Sequence, residues 1–337
     1  MTVKFLVKDL SICILILFLF SCGGPDDSKR NENGELPVEK VSADIPVFNQ
    51  DSAFAFIEKQ LSFGPRVPNT KAHEECALFL EQKLEAYAVT VIVQKTRLRA
   101  YDGTALNIRN IIASFNPSTN NRIFLCAHWD SRPIAEKDTA LNKQKLPIDG
   151  ANDGASGVGV LLEIARLLNA RKPLIGVDII LFDAEDYGQP DNSGMKPVED
   201  TWALGSQYWA KNPHKKNYYA RYGILLDMVG AANATFLKEG YSMQYAPDVV
   251  RKVWQTAQRA GYAEYFVNKE TNAITDDHFY INKLAGIPTI DIIHYDNNSP
   301  TGFFPHWHTH GDNISVIDKQ TLKAVGQTLM TVIFEEK

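Results

Sequence analysis

The chain has 337 residues, 45% of them hydrophobic and 22% charged, with a formal net charge of −5. That length suits one large α/β domain or two small ones, with enough chain to bury a core. An acidic chain without a block of Lys and Arg argues against nucleic acid as a partner, because such binding draws on a basic surface. The cysteines at 13, 22, 76 and 126 are too few and too scattered for a disulfide scaffold or a C-x-x-C pair.

The first 21 residues have the pattern of a secretory signal peptide. Lys4 and Lys8 precede an apolar run over 12–20. This run is far shorter than a transmembrane helix, which needs about 20 apolar residues. The sequence Leu19-Phe20-Ser21-Cys22 resembles the bacterial lipobox, whose Cys becomes the lipidated first residue of the mature protein. The alternative is a plain cleaved signal with an incidental Cys. We therefore predict lipidation at Cys22 and a lipid-anchored protein on the periplasmic side of a bacterial cell envelope.

Residues 22–45 predict a flexible tether between this anchor and a folded domain. The stretch 23–45 has no aromatic and few large apolar residues, so it cannot bury enough surface to order itself. No internal repeat and no second linker of this kind follows. The sequence thus predicts a signal at 1–21, a tether at 22–45 and one catalytic domain at 46–337.

Strands and helices are predicted to alternate along the domain. Asp51 can cap a helix to Leu61, Thr70 can cap a second helix to Tyr87, and further helices are predicted at 158–168, 203–209, 249–260 and 319–334. Short apolar or β-branched runs predict strands at 89–93, 108–113, 123–127, 177–182, 223–226 and 289–293. This order predicts an α/β fold, in which a mostly parallel mixed sheet carries helices on both faces.

Polar side chains follow three of the predicted strands. His128 and Asp130 follow one, Glu185 and Asp186 follow the next, and Asp227 follows a third. Ligand crevices of open α/β sheets lie beyond the carboxyl ends of the strands, so we expect these side chains to converge.

A cluster of carboxylates repels itself and needs protons or a metal to neutralise it, and the His residues favour a metal such as zinc. The neighbours Glu185 and Asp186 point in different directions, so one can bind metal while the other acts as a base. The remaining candidates for such a cluster are Asp130, Asp153, Asp227, Asp276, Asp277, His128, His278, His306, His308 and His310. Ser156 lacks the G-x-S-x-G nucleophile pattern, and Cys126 within a strand is best explained by packing.

Ordered motifs of this chain resemble those of the co-catalytic zinc aminopeptidase superfamily. They are His128-Trp129-Asp130-Ser131, the segment 150–157, Phe182-Asp183-Ala184-Glu185-Asp186, Leu226-Asp227 and His308-Thr309. The resemblance implies a single aminopeptidase-like domain. Two activities share that scaffold: di-zinc aminopeptidases and mono-zinc glutaminyl cyclases.

Two local features favour the cyclases. Trp307 precedes His308, where peptidases often carry Tyr, and Asp276-Asp277-His278 resembles the cyclase Asp-Asp-His, where peptidases typically have Ser-Asp-His. Phe303-Phe304-Pro305 ahead of the Trp agrees with this interpretation. The resemblance then implies that N-terminal Gln of peptides and secreted proteins is converted to pyroglutamate with release of ammonia.

The resemblance also implies a role for individual residues. Asp153, Asp186 and His308 would hold one zinc ion, and Glu185 would be the general base and acid. Asp186 stands where animal cyclases usually have Glu, a change that peptidases of the superfamily also tolerate.

The remaining implied residues surround the substrate. Asp227 and Asp276 would be paired carboxylates beside the leaving group, Trp307 would form one wall of the pocket, and Trp202 and Phe304 are further candidates. His128 is either a pocket residue or, in the aminopeptidase alternative, a ligand of a second metal together with Asp227 and Asp153. A non-catalytic surface lipoprotein is the third hypothesis. His73 and His214 are expected at the surface, pairing of Cys76 with Cys126 is left open, and no oligomeric state is predicted.

Overall fold

Within residues 45–296 and 298–337, which a computed structural model describes, helices and strands alternate as predicted. The helices are α1 (Gln50–Leu61), α2 (Lys71–Tyr87), α3 (Ala155–Ala170), α4 (Leu204–Lys211), α5 (Gly240–Tyr245), α6 (Pro247–Arg259), α7 (Asp277–Tyr280) and α8 (Lys319–Glu335). The strands are β1 (Thr90–Arg99), β2 (Ala105–Phe115), β3 (Arg122–His128), β4 (Gly176–Phe182), β5 (Gly223–Asp227), β6 (Phe236–Lys238), β7 (Phe266–Glu270) and β8 (Thr289–Ile293). A π-helical turn over Ile281–Ala285 follows α7, and a 3-10 turn spans Ile314–Val316.

Six strands form one mixed sheet in the order β1-β2-β4-β3-β5-β8. β3 pairs in parallel with β4 and β5, and β5 pairs in parallel with β8. β2 runs antiparallel to both β1 and β4. The carboxyl ends of the four parallel strands therefore meet at one edge of the sheet, where open α/β folds place their ligand crevices.

The two faces of the sheet pack against different helices, because successive strand side chains point in opposite directions. Leu125 and Ile179 pack on one face, in a large cluster that includes residues of α1, α2, α3, α6 and α8. Cys126 and Ile180 pack on the other face with Trp209 of α4 and Ile281 of the π turn. The predicted α/β class, a mixed sheet covered on both faces, is confirmed.

Several local predictions were wrong in detail. Asn49 caps α1 in place of Asp51, because its side chain accepts from the amides of Asp51 and Ser52. The short elements β6, β7, α5 and α7 were not predicted, while Thr70 caps α2 as expected. His73 is buried, since its ring Nε2 lies 2.9 Å from Asp183 Oδ1 and the ring stacks on Trp129.

His214 is half-buried, where a surface position was expected, because its Nδ1 accepts from the indole N–H of Trp209 at 3.1 Å. Cys76 and Cys126 are both buried free thiols. The described residues all belong to one compact unit.

The predicted signal at 1–21, the lipidation site Cys22 and residues 22–44 of the predicted tether lie outside the described residues. In the part of the chain that the structure describes, no helix combines the length and the hydropathy that crossing a membrane requires.

Candidate metal centre and substrate pocket

The predicted strand ends come together at the carboxyl edge of the sheet. His128 is the last residue of β3, Asp227 is the last residue of β5, and Glu185 and Asp186 follow β4 within four residues. Asp153 joins them from the turn that leads into α3. Two groups of buried potential metal ligands result, and both contain Asp153.

The first group consists of Asp153, Asp186 and His308. His308 Nε2 lies 3.1 Å from Asp186 Oδ1 and 3.7 Å from Asp153 Oδ2. Asp153 Oδ2 and Asp186 Oδ2 are buried and have no hydrogen-bond partner among the described residues. Buried carboxylate oxygens left unpaired beside an imidazole nitrogen are costly unless a cation or protons neutralise them, so these three side chains fit a zinc ion.

Two residues that the sequence did not single out hold His308 in place. Its Nδ1 lies 2.8 Å from Glu136 Oε1, and Arg132 binds Glu136 through Nε and Nη2 at 2.8–3.1 Å. Arg132 also donates to the backbone carbonyls of Asp186 and Gly188. Although burial opposes it, the hydrogen bond from His308 lowers the pKa of Glu136 to about 2. A carboxylate on the second ring nitrogen is the usual support of a metal-binding His.

The second group consists of His128, Asp153 and Asp227. His128 Nε2 lies 3.1 Å from Asp153 Oδ1 and 3.3 Å from Asp227 Oδ1. Its Nδ1 is 3.6 Å from Asp130 Oδ1 and 4.0 Å from Glu185 Oε2, both beyond hydrogen-bond distance. This ring nitrogen is buried without a hydrogen-bond partner in the described part of the chain.

Glu185 lies 4.0 Å from the His128 ring and is a member of neither group. Its backbone N–H and that of Asp186 donate to the carboxylate of Asp130 at 3.1 and 3.2 Å, so Asp130 orders the loop after β4. Burial raises the pKa of the Glu185 carboxyl well above its usual range; the His128 ring opposes the rise, and the carboxylates of Asp276 and Asp186 add to it. A carboxyl group with a raised pKa can both accept and return a proton near neutral pH.

Unusual backbone conformations adjoin these side chains. Ala184, Met228 and His308 have φ values of 54°, 48° and 55°, a region that non-glycine residues rarely adopt. Gly154 has a φ of 99°, and a Cβ there would lie 2.6 Å from the carbonyl oxygen of Asp130. Strained residues of this kind persist where surrounding packing fixes them, often at active sites. Their location agrees with a functional site at this edge of the sheet.

A cavity of about 420 Å³ opens above the two groups. Its lining includes Asp153, Glu185, Asp186, Trp202, Asp227, Asp276, Phe303, Trp307 and His308. The Trp307 ring stacks on His308 at 3.8 Å between centroids, and Trp202 stacks at 5.9 Å with a 12° interplanar angle. Two indoles thus adjoin the imidazole of His308, as the assignment of Trp202 and Trp307 to the pocket walls requires.

The expectation for Phe304 was wrong. Its side chain is buried in a small cluster with Met228, Ala231 and Ile293, while the neighbouring Phe303 lines the cavity. The two rings follow each other in an irregular segment, where no periodicity indicates which one faces the pocket.

Asp276 lies at the cavity wall, where its side chain accepts from the backbone N–H of Asp277 at the start of α7. Burial raises the pKa of Asp276 to about 6, and the Asp227 carboxylate adds to the rise. Behind it, His278 Nε2 lies 2.9 Å from Glu239 Oε2. Asp276, His278 and Asp291 form a third buried group of potential ligands. Glu239 and Asp291 were missed because neither belongs to a motif.

Asp312 is a further residue that the sequence did not reveal. Its carboxylate accepts from the backbone N–H groups of Asn152 and Asp153 at 2.7 and 3.0 Å and so fixes the turn that presents Asp153. In the sequence, the position of Asp312 four residues after His308 was the one indication that it belongs to the site, and this indication is weak.

The histidines on either side of His308 lie elsewhere. His310, predicted to lie beside the site, has its Nδ1 2.8 Å from Asp138 Oδ2. His306 is exposed.

Fold and site together define an α/β metalloenzyme of the zinc-exopeptidase type. The model of peptidase family M28 matches residues 110–333, and the chain belongs to this family.

Solved structures support the same placement. The chain is 55% identical to the glutaminyl cyclase of Bacteroides thetaiotaomicron bound to N-acetylhistamine, with 87% of this chain and 100% of that chain covered and a TM-score of 0.85. It is 52% identical to a Zn-dependent exopeptidase from Parabacteroides distasonis, covering 86% and 99% of the two chains at a TM-score of 0.85. The glutaminyl-peptide cyclotransferase of Drosophila melanogaster is 26% identical over 284 residues, 76% of this chain and 73% of that protein.

Proposed function

We propose that this protein is a zinc-dependent glutaminyl-peptide cyclotransferase that converts N-terminal Gln of peptides and proteins to pyroglutamate and releases ammonia. The observation that carries the proposal is the asymmetry between the two ligand groups: Glu136 meets the second ring nitrogen of His308 at hydrogen-bond distance, 2.8 Å, and the nearest carboxylate to that of His128, Asp130, lies 3.6 Å away. One supported group favours one metal ion. Similarity to the Bacteroides glutaminyl cyclase over its whole length agrees with this assignment.

A zinc ion held by Asp153, Asp186 and His308 would act as a Lewis acid toward the γ-carbonyl oxygen of the substrate. The protein's own residues do the rest. The α-amine of the substrate must lose a proton before it forms a bond to the γ-carbonyl carbon, and Glu185 is the carboxylate that accepts it. The same proton then goes to the γ-amide nitrogen, which departs as ammonia when its bond to carbon breaks.

Asp227 and Asp276 also line the cavity. Burial and the Asp227 carboxylate raise the pKa of Asp276, so we assign a proton to Asp276, with a carboxylate oxygen of this pair accepting from the γ-amide N–H of the substrate. Trp202 and Trp307 enclose the side chain and exclude water. The pocket thereby holds the folded-back conformer that an intramolecular reaction needs.

An aminopeptidase with two metal ions is the second candidate function. The ligand atoms of His128, Asp153 and Asp227 also lie close enough together, within 4.8 Å of one another, to hold a metal ion. It is the weaker candidate, since the carboxylate that faces Nδ1 of His128, that of Asp130, lies 3.6 Å away, whereas Glu136 meets Nδ1 of His308 at 2.8 Å.

The lipid anchor at Cys22 and the periplasmic location are likewise part of this proposal, supported by the sequence at 1–22. Labelled palmitate should enter the wild-type protein and not the Cys22→Ala variant. Absence of label from the wild type would remove the anchor from the account.

A coupled ammonia assay tests the proposed reaction. Purified protein is given a Gln-initiated dipeptide and, separately, an Ala-initiated chromogenic substrate, each with and without a chelator. We expect chelator-sensitive ammonia release from the first substrate and no hydrolysis of the second. Release of free amino acids from the Ala substrate, without ammonia from the Gln dipeptide, would assign the peptidase reaction instead.

A further inference from the structure

A second cavity of about 690 Å³ adjoins the substrate pocket and is not used by the proposed chemistry. Asp191, Trp202 and Thr275 line both cavities, so the second one continues from the first past the Trp202 ring. We call it the outer groove. A cyclised peptide keeps every residue after its first one, so the chain beyond the N-terminal Gln has to leave the substrate pocket along some path. The outer groove provides such a path.

One wall of the outer groove is the segment 189–201, which the side chain of Gln189 orders. Its amide nitrogen donates to Ser193 Oγ at 3.1 Å and to the carbonyl of Lys196 at 3.0 Å. Its amide oxygen accepts from the backbone N–H of Val198 at 2.7 Å. A single residue thus holds the segment in a defined shape, as a binding wall requires.

The opposite wall is aromatic and is formed by Tyr241, Phe279 and Tyr280. The Tyr241 and Phe279 rings lie 4.5 Å apart, and the Tyr280 hydroxyl donates to Asp200 Oδ1 at 3.0 Å, which joins the two walls. The ammonium group of Lys283 lies 5.2 Å from the centre of the Phe279 ring. This wall therefore already accommodates one ammonium group, and aromatic faces attract cations generally.

The charges along the outer groove are mainly acidic. Asp191, Glu199 and Asp200 are exposed in it, against Lys283 on the aromatic side. Lys137 approaches Asp191 at 3.7 Å and offsets part of that charge. Glu199 and Asp200 are left to attract a cation, and the flexible stem of Lys or Arg can lie on aromatic rings while its charged end meets carboxylates.

We propose that the outer groove binds the residues that follow the N-terminal Gln and favours substrates with Lys or Arg among the first of them. This proposal rests on the proposed cyclase activity, because the bound residues belong to the substrate of that reaction. Exposed carboxylates act at a distance that salt screens, so the preference should be strongest at low ionic strength.

The test measures kcat/KM for ammonia release from tetrapeptide amides that carry Lys, Ala or Glu at position two, three or four, beside the dipeptide amide Gln-Ala. At one or more positions we expect Lys to exceed Glu by about threefold to tenfold at low salt, as a few exposed charge pairs allow. The combined variant Glu199→Gln, Asp200→Asn should reduce this ratio to less than twofold. Its kcat/KM for the uncharged dipeptide gives the reference to which its tetrapeptide values are compared.

Lys283→Gln provides a test of opposite sign. Removal of the competing ammonium should raise the Lys-to-Glu ratio above that of the wild type, a result that a merely structural role of the segment would not produce. Asp248→Asn, an exposed carboxylate outside the outer groove, is the matched control and should leave the ratio unchanged.

Equal kcat/KM values for Lys, Ala and Glu peptides in the wild type, with ammonia released from the dipeptide, would overturn the proposed preference of the outer groove. The proposed cyclase activity would still stand. If no Gln peptide yields ammonia, the cyclase proposal itself fails. The same tetrapeptides are then titrated by calorimetry, and equal affinity for Lys and Glu peptides would overturn the outer groove as well.

Discussion

His308 and His128 occupy similar positions and differ in how they are held. Each ring presents Nε2 to Asp153 and to one further carboxylate, at distances between 3.1 and 3.7 Å. The Nδ1 of His308 meets Glu136 at 2.8 Å, and Arg132 supports that carboxylate in turn. The Nδ1 of His128 has no hydrogen-bond partner in the described residues.

Ligand identity alone therefore does not define a metal site in this fold. An imidazole binds a metal best when its other nitrogen donates to a carboxylate, which fixes the tautomer and the orientation of the ring. By that criterion the His308 group is built to hold a metal. The His128 group is a polar network that can share protons.

The largest effect is expected for Glu185→Gln. The amide cannot accept the proton of the substrate amine, so kcat should fall by about 10²–10⁴-fold, the usual contribution of general acid–base catalysis. Because Glu185 is not a member of either ligand group, the metal content should remain that of the wild type. Steady-state kinetics and elemental analysis measure the two quantities. A near-normal rate in this variant would remove Glu185 as the base.

The second effect concerns the support of His308. Glu136→Gln should weaken metal affinity by about 10- to 100-fold, since it replaces the charged partner of Nδ1. Competition with a chelator measures the affinity. Asp138→Asn is the matched control, because it alters a His–carboxylate pair of the same 2.8 Å length that contains no member of either ligand group. Equal losses in both variants would refute a special role for Glu136.

The smallest effect concerns the pocket wall beside His308. A Cβ at Gly188 would lie 2.0 Å from the Trp202 ring, so Gly188→Ala must displace the indole. We expect KM for a Gln dipeptide to rise about tenfold, which corresponds to roughly 1.4 kcal/mol in binding. Asn192→Ala in the same segment is the control, since this residue is exposed and its φ is not positive. An unchanged KM would exclude Trp202 from the substrate pocket.

The sequence was most informative about the buried strands of the sheet. Buried strands such as β3 and β4 carry continuous apolar runs, and their ends locate His128, Glu185 and Asp186 without any reference to distant residues. The convergence of these side chains then follows from the parallel order of the strands.

Residues in irregular segments could not be found in this way. Arg132 and Glu136 lie between β3 and α3, where no period indicates which side chains turn inward, and their burial depends on contacts with His308, far away in the chain. For the same reason, Phe304 was predicted to line the pocket, although Phe303 is the residue that does so. His73 looked exposed because its partner Asp183 is 110 residues away.

The number of zinc ions bound per chain distinguishes the His308 group from the His128 group. Wild type, His308→Ala and His128→Ala are loaded with zinc under identical conditions, dialysed, checked for folding by circular dichroism and analysed for zinc per chain. We expect one zinc ion per chain in the wild type, nearly none in His308→Ala and one in His128→Ala. Two zinc ions in the wild type, with one lost in each variant, would contradict this expectation.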